Sequence, residues 1–193
     1  MAISQVLKTK TQTNLLMNIE QFVDQSEGTW RSMRSSHSLA FQQFEEVLSE
    51  IRIQKVNTEE PEVIQLLKST TSLNRMPVSP FKIEWQAESD WEPNVKSEVT
   101  SGSCFLIPIP KTHEKGVILR SMGYAEAEKA FSNYEFLSDG TCLLMTKYGQ
   151  SIAEERIWFV SKHIRCRSSV LRTSEGSGVL QTSFASEVRR LKN

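Results

Sequence analysis

Ile152-Ala153-Glu154-Glu155-Arg156-Ile157-Trp158-Phe159-Val160-Ser161-Lys162-His163-Ile164-Arg165-Cys166-Arg167-Ser168-Ser169-Val170-Leu171 is the stretch on which the fold turns. Apolar and polar residues alternate on both sides of Ser161-Lys162-His163, and a period of two marks a β-strand with two unlike faces. The stretch predicts two strands, Ile152 to Val160 and Ile164 to Leu171, joined by a tight reversal. Charges lie inside these strands rather than at their ends. If the connection holds three residues, Glu155 falls opposite Ser169, and Glu155, Arg165, Arg167 and Ser169 share one face. If it holds two, the parity flips and the grouping is lost. The pattern fits a polar pocket, and it fits a solvated outer face of ion pairs worth about 1 kcal/mol or less each.

Outward from this pair, alternation predicts further strands at Trp30 to Ser36, Phe44 to Val56, Phe81 to Ala87, Ser103 to Ile107, Gly116 to Ser121, Tyr134 to Leu137, Thr141 to Thr146 and Gly178 to Arg189. Asp139-Gly140 offers a hairpin turn in which both central positions can take positive φ, and Glu175-Gly176-Ser177-Gly178 marks another. Leu15, Ile19, Phe22 and Val23 form one apolar stripe before Gly28, which predicts a short amphipathic helix. Asn57-Thr58-Glu59-Glu60-Pro61 opens a second helix whose buried face is Val63, Leu66 and Leu67, ending near Ser69. Ala125 to Phe131 stays undecided between helix and strand. About ten sequential strands with two or three short α-helices predict a mainly β protein, an antiparallel up-and-down β-barrel, because closure removes the edges of a long meander. Barrels of this size have room for one small ligand.

The 193 residues suit one domain, read as 17–193, with residues 1–16 as a loose tail or as the product of a start codon upstream of Met17. Lys+Arg 23 balance Asp+Glu 23, so no net field favours nucleic acid or an anionic membrane. Apolar runs such as Cys104-Phe105-Leu106-Ile107 are too short to span a bilayer, which predicts a soluble, intracellular protein. Cys104, Cys142 and Cys166 form no C-x-x-C pair, which argues against a disulfide framework and a zinc knuckle; they read as small buried strand residues. A nucleophile pair between one of them and His37, His113 or His163 is not selected by any spacing. Arg34 shares strand parity with Trp30, whereas His37 has the opposite parity, and Trp85 and Trp91 bracket a strand end where core or rim packing is the ordinary role.

Gly28-Thr29-Trp30-Arg31-Ser32-Met33-Arg34-Ser35-Ser36-His37, then Glu154 to Phe159, Arg165 to Ser169, and Gln181-Thr182-Ser183-Phe184-Ala185-Ser186-Glu187-Val188-Arg189 occur in the order found in the CpcS/CpeS phycobiliprotein chromophore lyases, and the chain resembles that family over 17–193. The resemblance implies a lipocalin-like barrel that holds an open-chain bilin, phycocyanobilin or phycoerythrobilin, as a transferred ligand rather than a resident cofactor. It implies attachment of that bilin, by a thioether bond, to a cysteine of a phycocyanin, allophycocyanin or phycoerythrin subunit. The setting it implies is the cyanobacterial cytosol or plastid stroma, and the working form either a homodimer or a pair with a homologous lyase subunit. Carried over by residue, Glu155, Arg34 and Arg165 are the candidate catalytic groups. Arg34, His37, Trp85, Trp91, Glu155, Arg165, Arg167 and Ser169 are the candidate bilin contacts. No metal site is expected. This sequence departs from the family in residues 1–16, in Ser35 where threonine is common, and in Ser161-Lys162-His163 where Pro-Asn is usual. A carrier that holds a bilin or another amphipathic ligand without catalysis is the alternative reading.

Overall fold

The computed structural model describes residues 17–68, 76–88, 101–121, 130–176 and 178–191. The chain runs through α1 (Ile19–Ser26), β1 (Gly28–Ser38), β2 (Gln43–Lys55), α2 (Pro61–Lys68), β3 (Phe81–Glu88), β4 (Ser101–Pro110), β5 (Lys115–Arg120), β6 (Ala130–Phe136), β7 (Cys142–Tyr148), β8 (Ser151–Ser161), β9 (Ile164–Thr173) and β10 (Val179–Arg189). Every strand pairs antiparallel with its neighbours in sequence, and β1 also pairs with β10, so the meander closes into a ten-stranded barrel. All ten strands and both helices expected from the sequence are present, with shifted ends. Residues 1–16, Trp91 and most of Ala125 to Phe131 lie outside the described residues. Among the described residues no helix is long and apolar enough to cross a membrane.

Three local differences from the sequence reading have physical causes. Strand β4 runs on through Pro108 and Pro110, beyond the expected end at Ile107. The Pro108 carbonyl accepts from the Val78 N–H on the side that β3 vacates past the Phe81–Leu106 pair, so the missing proline N–H breaks no ladder bond to β5. At the β6–β7 hairpin only Gly140 takes positive φ, +84°. The Gly140 N–H donates to Leu137 O and Asp139 accepts from the Thr141 N–H, making a three-residue loop closed by a glycine bulge instead of a two-residue turn.

The third difference decides the lumen. Lys162-His163 is a two-residue connection, which alone would put Glu155 and Ser169 out of register. The pairs run Phe159 with Arg165 and then Ser161 with Ile164, so Val160 is an extra residue bulged out of β8, 62% exposed. The bulge restores the parity of a three-residue loop, and Glu155 lies opposite Ser169.

Helix α1 closes one end of the barrel. Asn18 and Gln21 form a capping box across its first turn, satisfying two orphan N–H donors. Ile19, Phe22 and Val23 are buried against Trp30, Phe136 and Phe159 of the barrel wall. At the other end of the helix the Arg189 guanidinium donates to the carbonyls of Gln25 and Glu27 and stacks on Trp30. Helix α2 lies on the outer face, where Val63 and Leu66 cover Ile107, Ile109, Val117 and Leu119 of β4 and β5. The end of the barrel away from α1, where the β1–β2, β7–β8 and β9–β10 connections lie, is called the mouth below.

Candidate functional site

The lumen has two unlike walls. Strands β3 to β7 present a largely apolar wall that includes Phe81, Ile83, Trp85, Leu106, Ile118, Tyr134, Phe136 and Leu144, interrupted by the Ser132–Thr146 hydroxyl pair and by Arg120 at the end of β5. Strands β1, β10, β9 and β8 present a wall in register that mixes polar side chains with a few apolar ones, each layer about 6.6–6.8 Å from the next because inward residues recur every second position. One layer in from Ser38, Gln181, Leu171 and Ala153 at the mouth end are Ser36, Ser183, Ser169 and Glu155; below them Arg34, Ala185, Arg167 and Ile157; below those Ser32, Glu187, Arg165 and Phe159.

Glu155 is buried between two guanidinium groups. Arg120 Nη1 stands 3.8 Å from Oε2 and Arg167 Nη1 4.0 Å from Oε1. Arg120 comes from the end of β5 and reaches past β6 and β7, whereas Arg167 comes from the adjacent strand β9. Both separations exceed hydrogen-bond length, so the carboxylate is held by charge while its lone pairs stay open to a donor.

One layer nearer the closed end than Arg167, Arg165 donates from Nε to Glu187 Oε2. These two side chains are 2% and 1% exposed. The Arg165 guanidinium lies over the Trp30 ring, 4.7 Å from its centroid. Burial pushes Arg165 below its ordinary value, against the pull of the Glu187 carboxylate. Nearer the mouth, Arg34 Nη2 donates to Glu45 Oε2 at 3.3 Å, and the Ser36 hydroxyl donates to the same oxygen. Ser169 Oγ accepts from Ser183 Oγ across the β9–β10 pair.

Trp85 packs at the apolar wall opposite Gly102, and the missing side chain there is what lets the indole lie against the sheet: a Cβ on Gly102 would come within 2.3 Å of Trp85 Cζ2. Of the expected contacts, Arg34, Trp85, Glu155, Arg165, Arg167 and Ser169 therefore face the lumen together. His37 does not. It stands on the outer face of β1, packed against Phe44 with ring centroids 4.8 Å apart and the rings tilted by 45°, as its parity required. Trp91 is outside the described residues. Cys104 and Cys142 are buried, and Cys166 sits on the outer face opposite Trp158 and Ser186, turned away from Arg165 and Arg167.

Sequence reasoning missed Arg120, Glu187 and Glu45 as lumen residues. Glu187 could have been found, since it shares parity with Ala185 and faces Arg165 once β9 and β10 are paired. Arg120 carried no such signal, because Val117-Ile118-Leu119 before it are buried on both faces and show no alternation.

The family model described as "CpeS-like protein" matches residues 18–190. The curated protein named "Chromophore lyase CpcS/CpeS 3" of Trichodesmium erythraeum (strain IMS101) is 47% identical over 175 residues, covering 90% of this chain and 99% of that one. "Putative phycoerythrobilin lyase CpeS" of Microchaete diplosiphon is 42% identical, covering 84% of this chain and 73% of the relative. Among solved structures, the S-type phycobiliprotein lyase CPES from Guillardia theta superposes with a TM-score of 0.78 at 36% identity, over 92% of this chain and 95% of that one.

Proposed function

The chain belongs to the CpeS-like family, and on that footing we propose that it is a chromophore lyase which binds an open-chain bilin in the barrel lumen and attaches it to a cysteine of a phycobiliprotein subunit. The observation that carries this reading is the pairing of an apolar wall with a polar one in which Glu155 sits between Arg120 and Arg167. A bilin has two propionates, a row of pyrrole nitrogens and a long apolar π-system, and the lumen offers a partner for each. The carrier alternative is not favoured, because the relatives quoted above carry lyase names.

The bond-forming step adds the acceptor thiol across the exocyclic ethylidene double bond of ring A. A carbon–sulfur bond forms, the π bond is consumed, and the thiol proton ends on the chromophore, so neither oxidant nor leaving group is required. The nucleophile belongs to the acceptor subunit. The lyase supplies orientation and control of protonation. Arg34 and Arg167 grip propionates through paired N–H donors that lysine could not match, and Arg165 adds positive charge beneath them. Glu155 accepts from pyrrole N–H groups, and its charge favours the protonated, more electrophilic chromophore. Trp85 covers the ring system. The bilin is phycocyanobilin or phycoerythrobilin, and the acceptor a subunit of phycocyanin, allophycocyanin or phycoerythrin.

The test is to incubate the protein with phycocyanobilin or phycoerythrobilin and each apo-subunit, and to map thioether adducts by mass spectrometry of tryptic peptides. A lyase gives one defined cysteine adduct faster than the spontaneous background. An adduct distribution and rate unchanged by the protein would refute the proposal.

A further inference from the structure

Arg120 enters the lumen from the largely apolar wall. It ends β5 in register with Leu106 and Ala130, and it shares the inward parity of Ile118. Its backbone is clamped where the strand stops. The Ser121 N–H donates to Phe105 O at 3.0 Å, and Ser121 Oγ accepts from the Phe105 N–H at 2.9 Å. The layer between Arg120 and Glu155 consists of Ile118, Ser132, Thr146 and Ala153. Across β6, β7 and β8 its side chains are short, and the Ser132 and Thr146 hydroxyls bond each other at 2.6 Å. A long side chain has room to cross them, and Arg120 Nη1 reaches to 3.8 Å from Glu155 Oε2.

A buried carboxylate stays charged only beside compensating charge, because burial penalises the ionised form. Glu155 has a cation at each oxygen, Arg120 at Oε2 and Arg167 at Oε1. The two are not equivalent. The Arg167 side chain is 20% exposed against 10% for Arg120, and Arg167 shares its layer with Arg34, where the two grip propionates in the reading above. A guanidinium that turns its fork to a propionate divides its charge between two anions, and Glu155 then depends on the other cation. We propose that Arg120 is a positioning residue for Glu155, holding the carboxylate charged and aimed at the pyrrole nitrogens while a propionate engages Arg167, and that it touches no part of the bilin itself. This rests on the reading that the ligand is a bilin. Because the 3.8 Å separation exceeds hydrogen-bond length, Arg120 works by its charge rather than by the geometry of its fork, and lysine can stand in for it.

The test is a double-mutant cycle read with two ligands. Phycocyanobilin and its dimethyl ester are titrated, following bilin absorbance, into the wild type, Arg120→Met, Arg120→Lys, Glu155→Gln and the double variant Arg120→Met with Glu155→Gln. Arg120→Met should weaken the free acid about tenfold, roughly the worth of one charge-assisted hydrogen bond at Glu155. Arg120→Lys should restore affinity to within about threefold of wild type. In the Glu155→Gln background Arg120→Met should change affinity by no more than about twofold, since a residue that acts through another has nothing left to act on. With the dimethyl ester, which leaves Arg167 on Glu155, the loss from Arg120→Met should shrink. Should Arg120→Met fail to fold, Arg120→Gln replaces it in both backgrounds with the same expectations. A tenfold loss that persists in Glu155→Gln, a lysine variant no better than methionine, equal losses for acid and ester, or no loss at all overturns the positioning role and leaves bilin binding in place. Failure of the wild type to bind either ligand overturns the lyase reading, and this inference with it.

Discussion

Replacing Glu155 by glutamine keeps the shape of the side chain and removes the one anion held between Arg120 and Arg167. At an effective dielectric near 20, charges at separations of 3.8 and 4.0 Å attract by about 4 kcal/mol for each contact before desolvation is counted. Desolvation takes back much of this, and removing one partner of a buried pair costs about 3–5 kcal/mol in practice. The Arg167 side chain is 20% exposed, so solvent screens its share and the expected loss lies near 3 kcal/mol. For a chain of this size each kcal/mol moves the melting midpoint by about 2–4 °C, which predicts a fall of roughly 6–12 °C for Glu155→Gln by calorimetry at pH 7. A second readout concerns the ligand. The carboxylate favours the protonated bilin, so the bound chromophore should lose its proton at a pH about one unit lower in the variant, followed by absorbance. A midpoint within about 2 °C of wild type, together with an unchanged protonation midpoint of the bound bilin, would refute the view that Glu155 is the electrostatic centre of the lumen.

Gly102→Ala should cost about 1–3 kcal/mol of stability in denaturant unfolding and weaken bilin binding, because its Cβ drives Trp85 off the apolar wall; unchanged affinity would remove Trp85 from the contact set. Replacing Cys104, Cys142 and Cys166 together by alanine should leave transfer to the acceptor cysteine largely intact, and its loss in a folded variant would place the nucleophile in this chain. Burial pushes the Tyr134 hydroxyl up to about 12 from 10.0, so the folded state keeps a proton that the unfolded state releases. The resulting stability is fully present below pH 10 and is lost as pH rises toward 12, by at most about 1.4 kcal/mol per pH unit. Tyr134→Phe should flatten that alkaline limb in stability measured between pH 9 and 11, and an identical slope would refute the assignment.

Period two in Glu154 to Phe159 and Arg165 to Ser169 was enough to make the protein β, to number its strands and, with the turn residues, to suggest closure. Parity within one strand was equally legible: Arg34 shares a face with Trp30 and His37 does not, and the barrel turns the first inward and the second outward. Alternation is a local property. It follows from backbone geometry that each residue carries with it, so no partner strand is needed to read it.

Relations between strands were a different matter. Whether Glu155 and Arg165 look into one lumen hung on a single bulged residue, Val160, and a bulge leaves no mark in composition because many residues can fill it. Arg120 was hidden for another reason. Helix α2 covers the outer face of β5, so both faces of that strand are apolar and the alternation that would have exposed an inward charge is erased. Glu187 acquired its meaning only when β10 paired with β9 and set it against Arg165 in the sealed floor. The sequence thus determined which residues could share a face, since that is decided every second residue along one backbone. Which faces look at each other across the lumen was decided by register and closure, which depend on loop lengths, bulges and covering helices summed around the whole barrel.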